Sequence, residues 1–394
     1  MHRSPPFARR PWLALLLLSP SLTLGAEKAP NQFDTVTVTA TRTEQTLDQV
    51  PSTVSVQTER DIDQKNVKNI QDLVRYEPGV TVGGTGSRFG LAGFTIRGIG
   101  GNRVLTQVDG VPTPDAFTFG PFLDARRNYV DPDTVKQVEI IRGPASSLYG
   151  SDAIGGAVSF LTKDAGDYLD EGDDVYARLK TGYNGADDSW MRSTTLAARK
   201  GPFDGLLHLG RRDGQAQDTF GGRGGIGAAR EQANPQDYRA DNLLSKLGWN
   251  YNDSDRLQLT YETLEDSANT RVLNEYSTNA TVRTSDATDT TDRQRVSLQH
   301  QFEIGSVIAD RAEWQLSYQD SQIRQRTEHT RFSAGTLRER SRDSTYQEKL
   351  WAFNAKFDKL FETGIAKHQL IYGFDVKRLD SSDLRRGREV FASN

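Results

Sequence analysis

Along the second half of the chain, apolar and polar residues alternate with a period of two. Leu257, Leu259 and Tyr261 share one parity, as do Val296, Leu298 and Phe302, then Trp314, Leu316 and Tyr318, then Trp351, Phe353 and Phe357, with polar residues between them. That alternation predicts strands with one oily face. The segments are about the 9–11 residues that a membrane-spanning strand needs, and short and long connections follow one another, the grammar of an up-and-down barrel. Short turns are expected around Gly201-Pro202, Asn252-Asp253, Gly305-Ser306 and Glu362-Thr363, and long outer loops over 213–239, 266–291 and 327–345. Trp249, Tyr251, Trp314, Tyr318, Trp351 and Tyr372 fall near strand ends, where interfacial aromatic girdles lie. A soluble sandwich would bury such aromatics in its core, but it has no need of long polar loops alternating with short turns.

The first half is patterned differently. Arg3, Arg9 and Arg10 precede an apolar run from Pro11 to Leu18, and Gly25 and Ala26 follow, the layout of an export signal over 1–26. Asp34 to Thr41 alternates valine and threonine without proline. It is either a lone strand open to addition by a partner or the first strand of the domain that follows. Over 44–163 the periods mix. Thr58 with Asp61 forms a capping-box pattern, and Ile70, Leu73 and Val74 recur at helical spacing until Pro78-Gly79. Arg103 to Val108 predicts a strand entering an Asp109-Gly110 turn, Asp131-Pro132 caps a helical turn, and Lys136 to Ile141 predicts another strand. Gly155-Gly156 inside the strand 153–162 marks a bulge or a close backbone approach. The expected fold is an α+β domain followed, from about residue 172, by an antiparallel transmembrane β-barrel.

Composition narrows the classes. In 394 residues, hydrophobic residues are 35% and mean hydropathy is −0.64, with no later apolar stretch near the roughly 18 residues of a membrane helix. A barrel hides its hydropathy in alternation, so this excludes a helical membrane protein only. A net charge of −4, from 49 basic and 53 acidic residues, leaves no basic excess for nucleic acid. No cysteine is present, so disulfides and thiolate metal sites are excluded. No nucleophile–base constellation is recognisable, which argues against an enzyme. The paired glycines 83–84 and 100–101 lack the lysine-serine pair of a phosphate loop.

The segment Asp34, Thr35, Val36, Thr37, Val38, Thr39 and Ala40 closely resembles the coupling box of TonB-dependent outer-membrane receptors. The ordered run from Arg97-Gly98 through Asn102 to Val111, then Val138 to Gly156, resembles their plug domain over about 130 residues. The resemblance implies a plug inside a barrel of about 22 strands, of which about nine are present, so the chain is expected to stop before closure and not to transport by itself. It implies a bacterial outer-membrane location, outer-membrane lipid around the barrel, and a partnership with TonB and its inner-membrane energising complex. It also implies that Arg97 and Arg142 pair with barrel glutamates beyond residue 394; ordinary ion pairs within the plug are the other reading. The segments 72–80, 98–103 and 115–121 resemble the haem and haemoglobin branch. That implies haem, free or on a carrier protein, as the transported ligand, with no permanently bound cofactor. A ferric-siderophore receptor, a passive porin and an adhesin are the rivals.

Such receptors commonly use a plug histidine on the iron, but His2, His208, His300, His329 and His368 all lie outside the plug. Tyr129 is the candidate replacement, expected at the end of an apical loop with Phe117, Phe119 and Phe122. Those phenylalanines suit either a flat apolar ligand or plug packing. Arg88 is a further ligand-facing candidate. His329, expected in a long external loop, is either a second contact or a solvated histidine.

Overall fold

The computed structural model describes residues 53–391, apart from 85–87, 121–122, 277–280 and 334, together with the backbone of 36–37 and 45–46. The export signal, Phe122, and Asp34, Thr35, Val38, Thr39 and Ala40 of the coupling segment lie outside the described residues. Within that segment, β1 (Val36–Thr37) pairs antiparallel with β2 (Gln45–Thr46).

The first domain contains, in chain order, β3 (Val54–Thr58), α1 (Glu59–Gln64), α2 (Ile70–Leu73), β4 (Val80–Gly83), β5 (Gly93–Ile96), β6 (Ile99–Gly100), β7 (Val104–Val108) and β8 (Val111–Pro112). It continues with β9 (Phe117–Phe119), β10 (Leu123–Ala125), β11 (Val135–Arg142), α3 (Ser146–Tyr149) and β12 (Gly156–Thr162). Thr58 caps α1 as expected: its hydroxyl accepts from Asp61 N at 3.3 Å, and the Asp61 carboxylate accepts from Thr58 N at 2.9 Å. The main sheet has the order β3-β11-β12-β7-β8, with β12 and β7 parallel. Every residue of β7 is buried, as suits a strand covered on both faces. Ile70, Leu73, Val138, Ile140, Val158 and Phe160 form the core above it.

Two glycine positions explain local geometry. At Gly156, φ is +146° and a Cβ would collide with the Ile141 carbonyl oxygen, so glycine lets β12 lie against β11. Asp109 and Gly110 have φ of 47° and 77° between the paired residues Val108 and Val111. Two positive values in a two-residue loop make a type I′ hairpin, for which Asp-Gly is a favoured sequence.

The second part is one antiparallel sheet in chain order: β13 (Val175–Asn184), β14 (Ser189–Lys200), β15 (Phe203–Gln215), β16 (Gln236–Asn250), β17 (Arg256–Arg271), β18 (Val282–Glu303), β19 (Arg311–Ser333), β20 (Thr336–Thr363) and β21 (Ala366–Phe391). Nine strands agree with the expected number. The faces are inverted relative to a soluble sheet. Leu196, Leu247, Leu259, Val296, Leu316 and Trp351 are exposed, while Thr195, Lys246, Glu262, Arg295, Ser297 and Gln319 are buried. An oily outside and a polar inside fit lipid on one face and the first domain on the other. Phe203, Trp249, Tyr251, Trp314 and Phe353 join an outer aromatic band, in which Trp314 Nε1 donates to His300 Nδ1 at 3.1 Å.

The short turns fall where expected, except that the last, Gly364-Ile365, lies just past Glu362-Thr363. The long loops do not all hold. Residues 327–333 and 336–345 belong to β19 and β20, and β17 runs on to Arg271, because pairing continues beyond the length at which hydropathy alternates.

Candidate functional site

The domain is fastened to the polar face of the sheet at the Asp109-Gly110 turn. Arg295 on β18 is fully buried; its Nη2 donates to Asp109 Oδ2 at 2.9 Å, its Nη1 to the Val108 carbonyl at 2.6 Å and its Nε to Glu262 at 2.9 Å. Arg293 Nη2 lies 2.6 Å from the other Glu262 oxygen. Thr162 donates to Asp109 from its backbone at 2.8 Å and its hydroxyl at 2.7 Å. Burial would raise the Asp109 carboxyl, but Lys246, Arg295 and these bonds outweigh it and hold it well below the usual carboxylate range.

A second group lies beside it. Lys246 Nζ is 2.9 Å from Asp164 and 3.9 Å from Asp109, and Lys136 is 3.0 Å from Asp164. Burial opposes ionisation of Asp164, yet Lys246 and Lys136 bring it down to about 2. The sheet's glutamines add neutral contacts: Gln315 to the Asp109 carbonyl at 3.1 Å, Gln319 to the Pro112 carbonyl at 3.1 Å, and Gln325 to the Asp124 carbonyl at 2.9 Å. Removing one member of a buried ion pair costs about 3–5 kcal/mol, so this fastening is strong, but each bond in it is local and separable.

For Arg142 the structure shows an ordinary ion pair within the plug, the other reading of its charge. Arg142 lies 4.0 Å from Glu77 and donates to the Pro78 carbonyl at 3.2 Å, both within the first domain. Ser55 and Gln57 hold the same glutamate at 2.8 and 3.1 Å. Arg97 is exposed in a left-handed conformation, φ 49°, and makes no ion pair among the described residues. At the Asp109 and Asp164 clusters the fastening is carried by acids of the domain and cations of the sheet. Sequence reasoning missed Asp109, Glu262, Arg293 and Arg295 because charges at the polar parity of a strand look solvated until something covers them.

Several ligand-facing candidates are corrected. Tyr129 is 2% exposed, packed with Leu123, Ala125 and Ile323, so its ring is not presented to an approaching ligand. Burial, then the nearby Glu348, raises its hydroxyl pKa. Arg88 is committed to Asp289 on β18 through bonds of 2.8 and 2.9 Å, a further tie between domain and sheet. It borders a cavity of about 330 Å³ that is shared with Arg126 and Asp131 of the domain and Arg212, Asn242 and Asp266 of the sheet. In that cavity Asn242 donates to Asp131, whose carboxyl is raised to about 6 by burial and by Asp133. His329 lies on β19, not in a loop, with Nε2 3.1 Å from Glu275. Phe117 stacks on Tyr346 of β20 at 4.7 Å, while Phe119 is 41% exposed.

Residues 46–157 match the family described as TonB-dependent Receptor Plug Domain. The chain is 34% identical over 247 residues to hemoglobin and hemoglobin-haptoglobin-binding protein A of Haemophilus influenzae, a match covering 59% of this chain and 23% of that protein. It is 32% identical over 311 residues to hemoglobin-haptoglobin utilization protein B of Neisseria meningitidis serogroup C, covering 69% of this chain and 37% of that protein. The chain thus spans well under two thirds of these relatives. Its fold superposes on the FrpB iron transporter from Neisseria meningitidis with a TM-score of 0.59 at 16% identity, over 86% of this chain and 61% of that one. A plug domain followed by antiparallel barrel strands is the fold shared with these outer-membrane receptors.

Proposed function

We propose, from the premise that this chain carries the plug and nine barrel strands of a TonB-dependent receptor, that the receptor imports haem across the bacterial outer membrane from a haem-carrying protein of the haemoglobin type. The observation that carries the proposal is the run of 32–34% identity with receptors named for haemoglobin and its haptoglobin complex. TonB, driven by its inner-membrane complex, adds a strand to the coupling segment 34–41. Val36–Thr37 already forms a ladder with Gln45–Thr46, which supports a strand-forming role for that segment. Ligand binding above the plug shifts its equilibrium, and the pulled plug separates from the wall where Asp109 meets Arg295 and Arg88 meets Asp289. The chemistry is binding and displacement, with no covalent step.

The test is an absorption titration of the receptor in detergent with haemin, haemoglobin and ferric siderophores. A saturable haem spectrum supports the proposal; saturation by a siderophore alone replaces it with a siderophore receptor of the same architecture. Deleting 34–41 is expected to abolish uptake and leave binding unchanged, and loss of binding would defeat that division of labour.

A further inference from the structure

The sheet face that meets the plug continues past it and becomes basic. Its parity is fixed by contacts: Gln325 bonds the backbone of Asp124, Tyr346 stacks on Phe117, and Glu348 accepts from Asp115 N at 3.2 Å. Following the same parity toward the β19–β20 turn gives His329 and Arg331 on one strand and Arg342, Arg340 and Arg338 on the other. The register places Arg340 opposite His329 and Arg338 opposite Arg331. On β21, Arg385 Cζ lies 3.2 Å from the centroid of the Phe119 ring.

These elements border a groove of about 380 Å³ lined by Phe119 of the plug and by Arg340, Arg342, Arg385, Arg386 and Arg388. Of these, Arg340, Arg342 and Arg385 share the plug-facing parity, whereas Arg386 and Arg388, opposite Asp343 and Ser341, border the groove from the other parity; the acids on the shared face are Glu389, 3.5 Å from Arg338, and Asp383, which pairs with Arg385. Like charges directly across a ladder are destabilising, and Arg338, Arg340 and Arg342 repeat on one face about 7 Å apart.

We propose that this groove binds the carboxylates of a flat apolar dicarboxylate, with its ring edge toward Phe119 and the Phe117–Tyr346 stack. Guanidinium forks match carboxylates in bidentate geometry, and the exposed Phe119 face capped by Arg385 supplies an apolar, cation-bordered floor. A small inorganic anion would use the arginines but not the rings. The inference rests on the haem reading above, since iron porphyrins of this class carry two carboxylates on one edge of a flat ring.

The test uses the receptor in detergent and iron-free protoporphyrin IX or its dimethyl ester, followed by porphyrin fluorescence. Variants are Arg340→Gln with Arg342→Gln, and as a control Arg324→Gln, whose side chain pairs with Asp343 on the other face. Heat-modifiable gel mobility confirms that each barrel is folded. The free diacid is expected to bind the native receptor at least tenfold more tightly than the ester. The double variant should lose that advantage while keeping its affinity for the ester, and the control should match the native protein. Equal binding of diacid and ester, or an undiminished diacid preference in the double variant, overturns the anion site and leaves the haem reading standing. Failure of the native receptor to bind haemin as well overturns both.

Discussion

At the scale of single residues, the decisive feature is a buried ion network, and its sign can be read from titration. Asp109 has a lowered pKa, so its contribution to plug seating is present above the carboxylate's unfolded pKa of about 4 and is lost as pH falls through the folded value. Asp131 is the opposite case. Its raised pKa, about 6, gives a contribution fully present below about pH 4 that is lost as pH rises through 6. Asp131→Asn should therefore stabilise the plug at pH 7.5 by about 1–3 kcal/mol and flatten its stability between pH 4 and 7. Protease protection of the plug measured against pH checks this, and an unchanged slope would refute it. Arg295→Met should cost up to about 3–5 kcal/mol, because it removes the guanidinium that Glu262 and Asp109 share and leaves them Arg293 and Lys246 as remaining cations. Combining it with Asp109→Asn should cost less than the sum, as a thermal-melting double-mutant cycle would show. Neither Asp109 nor Arg295 was legible as a partner, because pairing across about 186 positions leaves no local trace. Tyr129 was misread for the converse reason: a tyrosine following the Phe117–Phe122 segment and flanked by polar Arg126, Arg127 and Asn128 has the composition of an exposed loop, and only packing against Ile323 shows that it is covered.

At the scale of elements, the sequence was most informative wherever one rule acted alone. The capping box at Thr58 and the Asp109-Gly110 hairpin depend on neighbouring residues, and both form as read. The strands of the membrane belt were legible because lipid forces alternation on them. Alternation ends where lipid ends, so the outer half of the hairpin formed by β19 and β20 looked like a loop although its ladder runs on to Ser333 and Thr336. The two-residue ladder between β1 and β2 was invisible for another reason: such a short pairing carries too little pattern. It makes a prediction of its own. Gln45→Pro removes a backbone donor from the partner strand, so the coupling segment spends more time unpaired and should bind a TonB C-terminal fragment roughly two- to fivefold more tightly. Isothermal titration checks this, and an unchanged affinity would mean that the ladder does not compete with TonB.

For the molecule as a whole, uptake as proposed requires that the plug leave or deform against a wall to which it is held at several separated points. These include the Asp109–Arg295 cluster, the Arg88–Asp289 pair and the Asp131–Asn242 contact. If the force travels through the plug as a rigid body, all must break together; if the plug yields piecewise, some contacts survive each cycle. This chain holds no cysteine, so a cysteine pair introduced into its plug and sheet is the only thiol pair within it and makes the alternatives separable. Asp131 and Asn242 are short side chains in hydrogen-bond contact, which suits a disulfide or a short thiol crosslinker between plug and β16. In the Asp131→Cys/Asn242→Cys receptor, haem binding should be the same oxidised or reduced. Uptake should be lost on oxidation and recovered on reduction, if this side of the plug must part from the wall. Uptake that persists in the crosslinked form would place the moving part elsewhere, on the side where Asp109 meets β18, and Arg295 rather than Asn242 would then mark the edge of the path.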